Sequence, residues 1–219
     1  MIATDARIVT PSSIKLASVL AVLLLAAPLA IEAQPAKQIP RIGLLASSST
    51  ERDKSRLAAF RQGLRELGYL EGQNIVIEQR YAAGKFEDLP KLAAELVRLN
   101  LDVLVTEGTP AARAAKSATS TIPVVMGNAG DPVGTGLVAG LARPGGNITG
   151  LSDFSFDLVT KRLELLKEMV PSASHVAVLL NPANPTNPLE LRKLQAAAPA
   201  LRVTLFPFEV SGADDIERA

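Results

Sequence analysis

Residues 101–120 read LDVLVTEGTPAARAAKSATS, and their reading decides the fold. The apolar run 101–106 has the length and β-branched content of a buried strand. Thr109 followed by Pro110 is a helix cap with proline at the first helical position. The alanine-rich segment 111–120 then makes a helix slim enough to lie close on a sheet. Strand, short loop and helix together form one half of a βαβ crossover.

The same alternation extends outward in both directions. Upstream, IGLL at 42–45 leads through ASSST at 46–50 into a helix with Leu57, Phe60, Leu64 and Leu67 on one face. Ser48 and Glu51 have capping-box spacing, and Gly68 stands where a C-terminal glycine belongs. NIVIE at 74–78 alternates like a half-buried strand, and Phe86, Leu89, Leu92, Leu96 and Leu99 mark a second helix. Downstream, IPVVM at 122–126 is a fourth strand, with Pro123 near its start. Residues 127–155 are glycine-dense and read as a long loop with one helical turn near 137–141. Helix returns with Asp157 as cap and Val159, Leu163, Leu166 and Val170 on one face, ending at Pro171. A second series opens with HVAVLL at 175–180, a helix from Asn187-Pro188, a strand at 203–210 and the start of a helix at 214–219.

Strands alternating with helices imply parallel sheets covered on both faces. The fold class is therefore α/β, with two Rossmann-like lobes. Four strands precede the glycine-dense stretch and two follow it, so the second lobe is truncated. The expected division is an N-terminal α/β ligand-binding lobe over 34–150, then a crossover helix and incomplete C-terminal lobe over 151–219.

Residues 1–33 read as a secretory signal peptide. A basic start with Arg7 and Lys15 precedes LASVLAVLLLAAPLAI at 16–31, and Ala33 offers a small residue for cleavage before Gln34. The apolar run spans about 24 Å as a helix, short of a hydrocarbon core of about 30 Å. The mature chain is then expected in the periplasm or another extracytoplasmic space.

Composition narrows the function. The whole sequence holds 23 Lys+Arg against 22 Asp+Glu, for a net charge of +1, with no basic cluster to grip nucleic acid. Without cysteine there is no thiol catalysis and no cysteine-based metal site, and one histidine, His175, does not suit a catalytic triad or a multi-histidine metal site. His175 reads as a structural residue entering a buried strand. Gly134-Thr135-Gly136-Leu137-Val138-Ala139 imitates a dinucleotide fingerprint, but it follows the fourth strand and is detached from it, whereas the fingerprint occupies the first strand–helix turn. A binding protein without cofactor or chemistry is the expected class.

In open parallel sheets, ligands sit beyond the strand carboxyl ends where strand order reverses. With order 2-1-3-4, the reversal lies between the first and third strands, at Ser47, Ser48 and Ser49 and at Glu107, Gly108 and Thr109. Helix N-termini and hydroxyls there suit a carboxylate, and Asp131 after the fourth strand suits an ammonium. The plain alternative is that Ser48 and Thr109 are ordinary helix caps and Asp131-Pro132 an ordinary turn. Glu107 opposes a bound carboxylate unless it faces an amine or solvent.

Several segments carry a resemblance to a known family: Phe60-Arg61-Gln62-Gly63-Leu64-Arg65-Glu66-Leu67-Gly68-Tyr69, Gly108-Thr109-Pro110-Ala111-Ala112, Asp131-Pro132-Val133, and Leu141-Ala142-Arg143-Pro144-Gly145-Gly146-Asn147-Ile148-Thr149-Gly150. On these the chain resembles the ABC-transporter substrate-binding proteins of the tryptophan/tyrosine type. The resemblance implies a fold like the type I periplasmic binding proteins, closing on a small polar ligand such as an amino acid. It also implies an inner-membrane ABC permease with its ATPase as partner. By resemblance the pocket uses Ser47, Ser48, Ser49, Gly108, Thr109 and Asp131, with Asn181 as the matching position in the second lobe. A ligand-sensing ectodomain built on the same module is the alternative, and a Rossmann-type enzyme a more distant one.

Overall fold

The structure is a computed structural model and describes residues 39–216. The signal-peptide reading of residues 1–33 lies outside the described residues.

Five parallel strands form the first sheet: β1 (Arg41–Ala46), β2 (Val76–Tyr81), β3 (Val103–Glu107), β4 (Val124–Gly130) and β5 (Ile148–Asp153). Their order is β2-β1-β3-β4-β5. The reversal between β1 and β3 falls where the sequence places it, and each connection carries a helix or long loop, as parallel pairing demands. Helices α1 (Thr50–Glu66), α2 (Leu89–Val97) and α3 (Thr109–Ala118) link the first four strands.

The core lies on the face covered by α2 and α3. Leu45, Leu104 and Val124 from three adjacent strands are fully buried there against Leu89, Ala93 and Leu96 of α2 and Ala111, Ala112 and Ala115 of α3. The alanines let α3 approach the sheet closely, as its composition predicts. Leu137 and Val138, from the loop after β4, close the same cluster. That loop is held by the ammonium of Lys116, which donates to the carbonyls of Gly136 and Leu137.

The glycine-dense stretch is not one long loop. Val124–Gly130 makes β4 longer than expected, and Ile148–Asp153 forms β5, an edge strand across the expected division at residue 150. Of β5 only Ile148 is buried, so an alternating pattern never appears in the sequence. Tertiary contacts place the strand instead. The Asn147 amide donates to the carbonyls of Thr119 at 3.2 Å and Ile122 at 2.8 Å. Gly150, at φ +138°, lies so near β4 that a Cβ there would sit 2.2 Å from the Met126 carbonyl oxygen. Only glycine permits that approach.

Helix caps also differ from expectation by a residue. Ser49, not Ser48, caps α1, accepting from the Arg52 N–H at 3.4 Å. Gly108, not Thr109, is the N-cap of α3. Asp157 does not cap the next helix, α4 (Val159–Met169); its carboxylate pairs with Lys193 at 3.2 Å. Leu67 follows the end of α1 and is exposed, which shortens the expected apolar stripe.

The second unit has strands β6 (His175–Leu180) and β7 (Thr204–Glu209), paired in parallel, with α5 (Asn187–Ala197) between them and a short helix α6 (Ala213–Ile216) after β7. Val159 and Leu163 of α4 pack with Leu194 of α5, Ala198 and Val203, against Val176, Val178 and Leu205 of the sheet. His175 is exposed rather than buried: helices cover one face of this two-stranded sheet, and its ring lies 5.5 Å from that of Phe206 on the other.

Leu104→Ala removes a fully buried side chain from the inner strand β3. It should cost about 2–5 kcal/mol of unfolding free energy, read by urea denaturation followed by far-UV circular dichroism.

Candidate functional site

A cavity of about 690 Å³ opens beyond the carboxyl ends of the first sheet and is lined from both units. From the first unit come Ser47, Ser48 and Ser49 after β1, Glu107, Gly108 and Thr109 after β3, Asn128 and Gly130 at the end of β4, and Asp153 and Ser155 after β5. From the second come Asn184, Thr186, Asn187 and Glu190, at the start of α5. The units touch beside it: a Cβ on Gly130 would lie 3.1 Å from the Thr186 methyl group.

The loops after β1, β3 and β4 are locked to one another. The buried Ser47 hydroxyl accepts from the Ala111 N–H at 3.2 Å, so a residue of the first loop satisfies a free donor in the first turn of α3. Gly108, at φ +87°, makes room for it, since a Cβ there would sit 2.8 Å from Ser47 Oγ. Thr109 Oγ1 accepts from the Gly130 N–H at 2.9 Å and ties the third loop to the fourth. Ser47 and Ser49 thus accept from backbone N–H groups and keep their own hydroxyl protons, which have no acceptor among the described residues. Two hydroxyl donors remain for an oxyanion.

Asp131 and Asn181 are not brought to the cavity. Asp131 adopts φ +38°, and its carboxylate turns back to accept from the Gly134 N–H at 2.8 Å. Asn181 closes its own turn, accepting from the Ala183 N–H at 2.9 Å. Asn184, three residues on, lines the cavity instead, while its Oδ1 accepts from the Thr186 hydroxyl at 2.7 Å.

Sequence reasoning missed Arg52 and Arg56, which follow the serine run at successive turns of α1 and line the cavity. Arg52 lies four residues after Ser48 and Arg56 four after Arg52, and that spacing is the signal that was there to be read. Arg56 Nη1 bonds Glu107 at 2.9 Å and the buried Asp53 at 3.2 Å. The Ser48 hydroxyl contacts the Asp53 carboxylate and lies 3.2 Å from Glu107 Oε2. Glu107 therefore faces a guanidinium, which removes much of its opposition to a bound carboxylate. Burial, and then the charge of Asp53, still push its carboxyl above the ordinary carboxylate range, while Arg56 and Arg52 pull it down.

The parallel sheet, the strand-end cleft and the second α/β unit together define a periplasmic-binding-protein type of fold. The family model described as ABC transporter substrate binding protein matches residues 45–219, and the chain belongs to that family. A tyrosine-binding protein of Clostridioides difficile is 30% identical over 167 residues, covering 76% of this chain and 48% of that relative. A conserved domain protein from Vibrio cholerae has 31% identity and a TM-score of 0.76, over 83% of this chain and 61% of its own. A Streptococcus pneumoniae structure, an ABC domain in complex with L-Trp, has 28% identity and a TM-score of 0.73, over 82% of this chain and 60% of its own. The chain thus spans about half the length of the curated relative and about three-fifths of these structures.

A carboxyl whose folded value is raised favours the native state below its ordinary value, and loses that contribution as pH rises through the raised one. Glu107→Gln should therefore gain thermal stability relative to the parent as pH rises from about 4.5 to about 7.5. Differential scanning calorimetry across that range checks it; a constant difference in Tm contradicts the assignment.

Proposed function

We propose that this protein is the exported solute-binding component of an ABC importer and holds a small zwitterionic ligand, an amino acid, between its two α/β units without transforming it. In this reading residues 1–33 are the signal peptide, the chain works in the periplasm, and a permease with its ATPase takes up the ligand. Residues 34–150 with the rest of β5 supply the main ligand-binding lobe, and the remainder of 151–219 supplies the crossover helix and part of the second.

One observation carries the reading: a polar cavity at the strand carboxyl ends, lined from both units, of a size that suits a single small ligand. Ser47 and Ser49 offer hydroxyl protons to a carboxylate, at the N-terminal end of α1 and beside that of α3. Glu107, Asp153 and Glu190 offer acceptors to an ammonium, and Phe86 and Pro110 offer apolar wall. Family membership and the tyrosine- and L-Trp-binding relatives favour an amino acid. The sole histidine is exposed at the amino end of β6 and does not line the cavity, so no imidazole serves as a base there.

Isothermal titration calorimetry of the full chain against the twenty common L-amino acids tests the proposal. At least one should bind, and Ser49→Ala should weaken it about tenfold or more through loss of a hydrogen bond to a charged group. A panel with no binder would overturn the amino-acid reading.

A further inference from the structure

The cluster of Ser48, Asp53, Arg56 and Glu107 contains a shortage of protons that the proposed solute-binding role does not by itself explain. Ser48 has one hydroxyl proton and two carboxylate neighbours, Asp53 and Glu107 Oε2. Asp53 is the more deeply buried of the two and has less access to water, so the proton belongs there. Arg56 Nη1 serves Asp53 Oδ1 and Glu107 Oε1, and reaches neither of the remaining oxygens. Among the described residues, Glu107 Oε2 is left with the Ser48 oxygen as its sole hydrogen-bonding neighbour. Two oxygens with no hydrogen between them repel. The contact becomes a bond when Glu107 carries a proton and donates it to Ser48 Oγ, and an ammonium arriving from the cavity relieves the same repulsion by donating to Oε2.

We propose that Glu107 is the specificity-determining residue for the ligand's amine. It holds a proton against Ser48 in the empty cleft and releases it to solvent when a primary ammonium docks on Oε2. The inference rests on the solute-binding reading above and deepens it. Ammonium N–H donates to Oε2, the carboxyl proton leaves to solvent, and no other bond changes. The charged groups facing Glu107 are Asp53, Arg56 and Arg52, all from α1, with Glu190 of α5 and Asp153 after β5 across the same cavity. Asp53 disfavours the ionised form, and the two arginines favour it. The trio Asp53, Arg56 and Glu107 is net negative when all are ionised, so an incoming cation completes its charge balance. Burial, which raises the Glu107 carboxyl, is consistent with the proton being held in the empty site.

The experiment uses L-tyrosine and L-tryptophan as probes, beside phloretate and indole-3-propionate, the same acids without their amines. Calorimetry of the full chain in buffers of different ionisation enthalpy counts protons released on binding. The amino acids should release protons at about pH 5.5 and few at about pH 7.5, and the deaminated acids none at either. The amino acids should also bind about tenfold or more tighter than the deaminated acids, through a charge-assisted bond. In Glu107→Gln that preference should shrink to about twofold and the proton release should vanish. The proton count on the parent protein stands whether or not the variant folds. Amino-acid binding without proton release, or an unchanged amine preference in Glu107→Gln, overturns this inference and leaves the solute-binding reading in place. Failure of both amino acids to bind overturns the two together.

Discussion

The hydrogen bond from the Ala111 N–H to the Ser47 hydroxyl joins residues 64 apart in sequence, and much of the cleft depends on it. It makes a side chain of the β1 loop serve a helix that begins after β3. The bond exists because Gly108 adopts φ +87° and carries no side chain; any Cβ there would press on the serine oxygen at 2.8 Å. With the two loops locked, Thr109 can reach the Gly130 N–H and draw the end of β4 into the same wall. Three strand ends thus become one surface, which is what a preorganised ligand site requires.

Charge is organised on that surface with similar economy. The Glu107 carboxylate stands beside the serine loop, and Arg56 pairs with it from the second turn of α1. The same arginine bonds the buried Asp53. Ser47 and Ser49 accept from backbone N–H groups and keep their own hydroxyl protons to donate. The cleft wall therefore carries both hydroxyl donors and carboxylate acceptors.

Much of this was legible in the residues. Apolar runs at 42–45 and 101–106, each followed by hydroxyl or glycine residues and a helix, locate the strand ends. Local pattern suffices there because both faces of an inner strand are covered, and the alanine-rich α3 declares its close packing by composition. The edge strand β5 was not legible, since it buries little besides Ile148 and is held by the Asn147 amide and a glycine contact with β4. Asp131 and Asn181 sit near the expected loops, but local turn bonds take their side chains away from the cavity. Arg56 stands two helical turns beyond the serines, and nothing local shows that it reaches across to Glu107.

By itself the sequence determined the α/β class, the first four strands, and the two loops that carry the serines and the Gly108-Thr109 pair. Those follow from periodicity and capping chemistry, which act over a few residues. The tertiary structure alone decided which hydroxyls keep a free proton, which carboxylates share a guanidinium, and that Asn184, Thr186, Asn187 and Glu190 form the opposing wall. Those outcomes depend on atoms dozens of residues apart meeting within hydrogen-bond distance, and no local pattern in the chain encodes such a meeting.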